Sequence, residues 1–115
     1  MSIEESASEL RETGAKVVQD IGGMVQQINT DLDAIAAKLQ QSQTFAEDST
    51  NTAATVLGEG HPGTGEIVGA AANVVEQVVS MQGLVSQFSL EATTLTERAG
   101  ALSQKFEEIA NRLMG

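Results

Sequence analysis

Apolar residues recur along this chain at alternating steps of four and three. From Ile67 they run through Ala71, Val74, Val78, Met81, Val85, Phe88, Ala92, Leu95, Ala99, Leu102, Phe106, Ile109 and Leu113. A mean step of about 3.5 residues keeps one stripe of a helix turned toward a partner helix, and it excludes a strand. The first half follows the same rule in Ile3, Ala7, Leu10, Gly14, Val17, Ile21, Met24 and Ile28. Ile28 to Leu32 is then a further step of four before Ile35 and Leu39 resume. Such a stutter relaxes a supercoil locally without ending the helix. Beyond Leu39 the segment QQSQTFAEDSTNTAAT carries few apolar side chains and reads as a looser helix or a kink.

The ends are marked chemically. Ser2 and Glu5 have the spacing of a capping box, in which each side chain satisfies the other residue's free amide. Gly58 follows Leu57 where a left-handed residue ends a helix. Thr64 is positioned to cap the second helix, with Glu66 in its first turn, where the helix dipole favours an anion. These signals place helix one at about 3–57, a turn at 58–65 containing Gly58, Gly60, His61, Pro62 and Gly63, and helix two at about 66–114.

A turn near residues 61 and 62 sets Leu10 against Leu113, Gly14 against Ile109, Val17 against Phe106 and Ile35 against Phe88. One register serves the whole length, so the fold class is all-α, a long antiparallel two-helix hairpin forming a single domain. A domain-swapped dimer satisfies the same pairing. Two helices sharing one seam bury little surface, and the hairpin is expected to dimerise into a four-helix bundle. Helix two near the turn is apolar beyond its seam, whereas the facing stretch of helix one is rich in Ser, Thr and Gln. Val68, Val75, Val79 and Leu84 are therefore the candidate partner contacts. Gly22, Gly23 and Gly100 come level with one another and read as a bend, a site of close approach or neutral positions.

Charge narrows the partners. The net charge is −10, and residues 39–97 contain no Lys or Arg. Nucleic acid and anionic membranes both require a basic surface, so nucleic acid is excluded. No stretch is apolar enough to insert in a membrane, and the acidic start MSIEESASEL is no cleaved signal peptide. The expectation is a chain made in the cytoplasm, with export by a route needing no cleaved signal left open.

The chemistry of an enzyme is missing. Gly58-Glu59-Gly60-His61-Pro62-Gly63 has the letter spacing of a dinucleotide loop, but a helix precedes it where a strand is required. One His and no Cys give neither a zinc site nor a Cys/His nucleophile. The chain is read as non-enzymatic, with no cofactor and no metal, acting through a protein partner that is either itself or a second helical hairpin.

A hairpin of this length, with a glycine-bearing turn and no Cys, resembles the small WXG-type (ESAT-like) proteins of type VII secretion. Those proteins carry Trp-x-Gly at the turn, where this chain has Gly58-Glu59-Gly60-His61-Pro62-Gly63 and no Trp anywhere. The resemblance implies a homo- or heterodimeric four-helix bundle acting as a secreted factor or adaptor. A cytoplasmic signalling or scaffolding coiled coil is the alternative, since chemotaxis-receptor hairpins and coat components share the heptad pattern.

Overall fold

A computed structural model of the chain describes residues 2–115. Two helices account for nearly all of them: α1, Ile3–Leu57, and α2, Pro62–Met114. They form an antiparallel hairpin, and no strand occurs among the described residues. The polar segment after Leu39 is neither kinked out of the helix nor lost from it. The hydroxyls of Ser42, Thr44, Ser49 and Thr55 each donate to the carbonyl four residues back, at 2.8–3.2 Å. Hydroxyls that would otherwise compete for backbone amides are satisfied inside the helix.

The hairpin comprises two compact units, Met1–Thr30 with Ser89–Gly115, and Asp31–Phe88. In the first, Arg11 donates from Nη2 to Asn111 Oδ1 at 2.7 Å and pairs with Glu107 at 3.7 Å. Three residues further along α1, Gly14 lies against Ser103 and Phe106. Numbers rise on one helix as they fall on the other, which is the antiparallel sense. The Ser2 hydroxyl accepts from the Glu5 amide at 3.1 Å, so this half of the expected capping box forms.

In both units the seam is built from small residues at seven-residue intervals. On α2 the series is Thr64, Ala71, Val78, Ala92 and Ala99, all buried, with Val85 and Phe106 half-buried; Ala110 is buried outside it. On α1 the series is Ala7, Gly14 and half-buried Ile21, then Val25, Leu32, Leu39, Ala46 and Ala53, with Leu32 half-buried. Seven of the ten buried apolar residues are alanines. Each adds only about one methyl group, roughly 0.8 kcal/mol of burial, against about 1.5–3 kcal/mol for a buried Leu or Ile. The seam stabilises through close approach of the two backbones more than through bulk.

Three details differ from the sequence reading. The stutter falls between Ile21 and Val25, seven residues before the expected place, because Val25 is 8% exposed whereas Met24 is 59% exposed. The second helix begins at Pro62 and not at residue 66, which shortens the turn to four residues. Its midpoint moves to residue 59 or 60, and Gly14 meets Phe106 and Ser103 where the expected register set it against Ile109.

The glycines test this packing. A Cβ on Gly14 would lie 3.1 Å from Phe106 Cβ and 3.3 Å from the Ser103 carbonyl oxygen, whereas Gly22 and Gly23 have nothing within 4 Å. Gly22→Ala and Gly23→Ala each raise stability by roughly 0.5–1 kcal/mol through helix propensity. Gly14→Leu overpacks the seam and lowers stability by about 1–3 kcal/mol. Thermal unfolding followed by circular dichroism checks both signs.

Candidate interaction surface

The turn is fully accounted for by its own hydrogen bonds. Gly58 has φ +88°, the left-handed conformation that costs glycine no Cβ clash. Its amide donates to the Ala54 carbonyl at 3.1 Å, which closes α1. The Gly58 carbonyl then accepts twice, from the His61 amide at 3.2 Å and from the Thr64 hydroxyl at 2.6 Å. His61 is the N-cap of α2: its Nδ1 accepts from the Gly63 amide at 2.9 Å. Pro62 follows as the first helical residue, where its missing amide leaves nothing unsatisfied.

The expected roles of two residues are therefore corrected. Thr64 does not cap α2. It lies buried at the seam and its hydroxyl caps the carbonyl end of α1, so one side chain ties the two helices together. Glu66 is beyond the first turn of a helix that starts at Pro62. Gly60 is an exposed turn residue with open space around it, whereas Gly63 lies against the His61 ring and Leu57. These positions build the turn.

The four candidate contact residues do not form one patch. Val75 is half-buried, on the inward series with Ala71, Val78 and Val85. Val68, Val79 and Leu84 are exposed, but Val79 and Leu84 differ by five residues, which sets them about 140° apart around α2. Only Leu84 borders an exposed apolar row that runs along α2.

The spacing alone assigns this row to the seam. Ile67, Val74, Met81, Phe88, Leu95, Leu102 and Ile109 recur every seven residues along α2 and stay open to solvent, from 37% exposed at Ile67 to 55% at Phe88. The positions one residue later include Val75, Gln82, Ser103 and Ala110, which are half-buried or buried. At Leu102/Ser103 and Ile109/Ala110 the hairpin turns the smaller residue of the pair inward and leaves the larger on its flank. Size had pointed to the wrong member of the pair; the signal that could have found the row is its strict seven-residue spacing in large side chains alone.

Within the turn-proximal unit the same flank opens into a groove. One hollow of about 770 Å³ is lined by Phe45, Asp48, Thr52, Val56 and Ile67, among others. A second of about 450 Å³ adjoins it, sharing Phe45, Ser49 and Ile67 and continuing to Ala70 and Val74. Phe45 and Val56 rise from α1 at its edges, 61% and 74% exposed. The walls are apolar, Asp48 stands on the rim, and no Lys or Arg occurs between residues 39 and 97. Such a surface offers burial for apolar side chains and attraction for cations, and no three His, Cys, Asp or Glu among the described residues could hold a metal ion. No helix is long and apolar enough to cross a membrane.

Comparison with protein-family models, curated proteins and solved structures found no match to this chain. The functional reading rests on its own surface.

The turn gives two predictions. Thr64→Val removes the bond to the Gly58 carbonyl and costs about 1–2 kcal/mol, while His61→Ala loses the N-cap and costs about 1 kcal/mol. His61→Asn, whose side-chain oxygen can accept the same bond, retains most of that stability. Chemical denaturation read by circular dichroism measures all three.

Proposed function

We propose that the chain is a non-enzymatic protein–protein interaction module that completes a helical bundle with a second hairpin, its own or another's. By its resemblance to the WXG-type proteins, it serves as a secreted factor or adaptor of type VII secretion. The observation that supports this reading is the exposed row on α2. Large apolar side chains at strict seven-residue spacing are the pattern by which one helix packs on another. Here the row lies beside a seam already occupied by small residues.

Contiguous apolar surface beside a polar rim marks a contact site.

Size-exclusion chromatography with light scattering tests this reading. The expected result is a species of about 24 kDa, twice the 12.0 kDa of one chain. A 12.0 kDa chain that forms a heterodimer with a helical hairpin encoded beside it supports the reading equally. A chain that stays monomeric alone and in every such mixture contradicts it.

A further inference from the structure

Resting on that reading, we infer that the groove of the turn-proximal unit takes a cationic amphipathic helix of another protein, with an aliphatic face on the groove and Lys or Arg at both flanks. The groove lies wholly within Asp31–Phe88. Its wall on α1 runs from Phe45 to Val56. Its wall on α2 carries Ile67 and Val74, the first two members of the exposed row, with Ala70 beside them.

The shape calls for a helix. From Phe45 to Val56 is about three turns of α1, roughly 16 Å. Along that wall Phe45, Ser49, Thr52 and Val56 follow one another at steps of four, three and four. A docked helix lays its anchoring side chains over this length at this spacing. An extended peptide finds nothing to pair with, because both walls are helices whose amides and carbonyls bond internally. The Ser49 hydroxyl is likewise engaged, donating to the Phe45 carbonyl at 2.8 Å. The occupant has to satisfy its own backbone and present apolar side chains to the hollows of about 770 and 450 Å³.

Charge supplies the rest of its chemistry. Among the described residues Glu47, Asp48, Glu59, Glu66 and Glu76 form no ion pair, and Lys38 is the sole Lys or Arg of this unit. Asp48 stands in the α1 wall. Glu66 is exposed and four residues before Ala70, which places it on that side of α2, at the outer edge of the opposite wall. An apolar floor between two unpaired carboxylates complements an aliphatic face between two rows of cations. A second copy of the chain is the poorer complement. Two of its cations are already engaged, Arg11 with Glu107 and Lys105 with Glu108, and it brings a net charge of −10 to an acidic surface.

The probe is a fluorescent synthetic helix of about 18 residues, roughly 27 Å, with Leu along one face and Lys on both flanks. A control peptide carries Glu in place of each Lys. Anisotropy titrations with the full chain are expected to show saturable one-to-one binding of the Lys peptide, about tenfold or more tighter than the Glu peptide. Asp48→Lys with Glu66→Lys is expected to weaken it about tenfold, and Phe45→Ser by a similar factor. Glu47→Lys with Glu76→Lys alters net charge equally, but Glu47 lies about 200° around α1 from Phe45 and Glu76 about 180° around α2 from Ile67. That variant is expected to bind within about twofold of the unmodified chain. All five substituted residues are exposed, and circular dichroism confirms that each variant keeps its helix content.

If the two double variants weaken binding alike, the attraction is to net charge and the inference fails. It fails too if the Glu peptide binds as tightly as the Lys peptide. Neither peptide binding to a chain that light scattering shows in a dimer overturns the inference alone, while the interaction-module reading stands. A homodimer that Phe45→Ser dissolves gives the groove to a second copy, with the same consequence. A chain that binds neither peptide and forms no dimer in any mixture removes both.

Discussion

The structure depends on how closely two long helices approach. Along both units the inward positions at seven-residue intervals are mainly Ala, Gly, Thr and Val, so the backbones meet with little side-chain volume between them. The contact at Gly14, where an added Cβ would come within 3.1 Å of Phe106 Cβ, measures how little room remains. A seam that thin takes in few large apolar side chains: Leu39 is buried in it and Ile21, Leu32 and Phe106 are half-buried. The other large residues of α2 lie on its flank, still in register with the seam because both repeat every seven residues. The exposed row is the geometric consequence of a small-residue seam.

The turn answers to the same constraint. A shorter connection brings the helix ends together, and Thr64 exploits that proximity by donating across to the Gly58 carbonyl. Gly58 supplies the left-handed residue, His61 the N-cap and Pro62 the first helical position. This explains a glycine-rich loop without any ligand. Beside it lies the groove lined by Phe45, Val56 and Ile67.

Much of the fold was legible in the sequence because periodicity reports helix pairing directly. The end of α1 at Leu57, the Ser2 cap and the antiparallel sense all follow from spacing and capping chemistry. What was not legible is phase. On α2 the residues at 74, 81, 102 and 109 and their neighbours at 75, 82, 103 and 110 fit a heptad equally well, and the larger members looked like core. Close backbone approach reverses that choice, and a single sequence does not report interhelical distance. The same ambiguity scattered Val68, Val75, Val79 and Leu84 around α2 when hydrophobicity alone had grouped them. On α1, Ser42, Ala46, Thr50 and Ala53 continue the seam through a stretch that appeared to lack one, since a small-residue seam needs no large apolar side chains.

A hairpin whose own seam is thin and whose larger apolar residues lie outside it should draw part of its stability from association. Thermal unfolding over about a hundredfold range of protein concentration measures that contribution, because only a folded state stabilised by a partner has a midpoint that rises with concentration. If the flank is buried between copies, the midpoint rises steadily across the range and the rise disappears in Phe88→Glu. A midpoint that stays constant in the unmodified chain, alone and mixed with a second hairpin, would contradict the claim that the row on α2 packs against a partner helix.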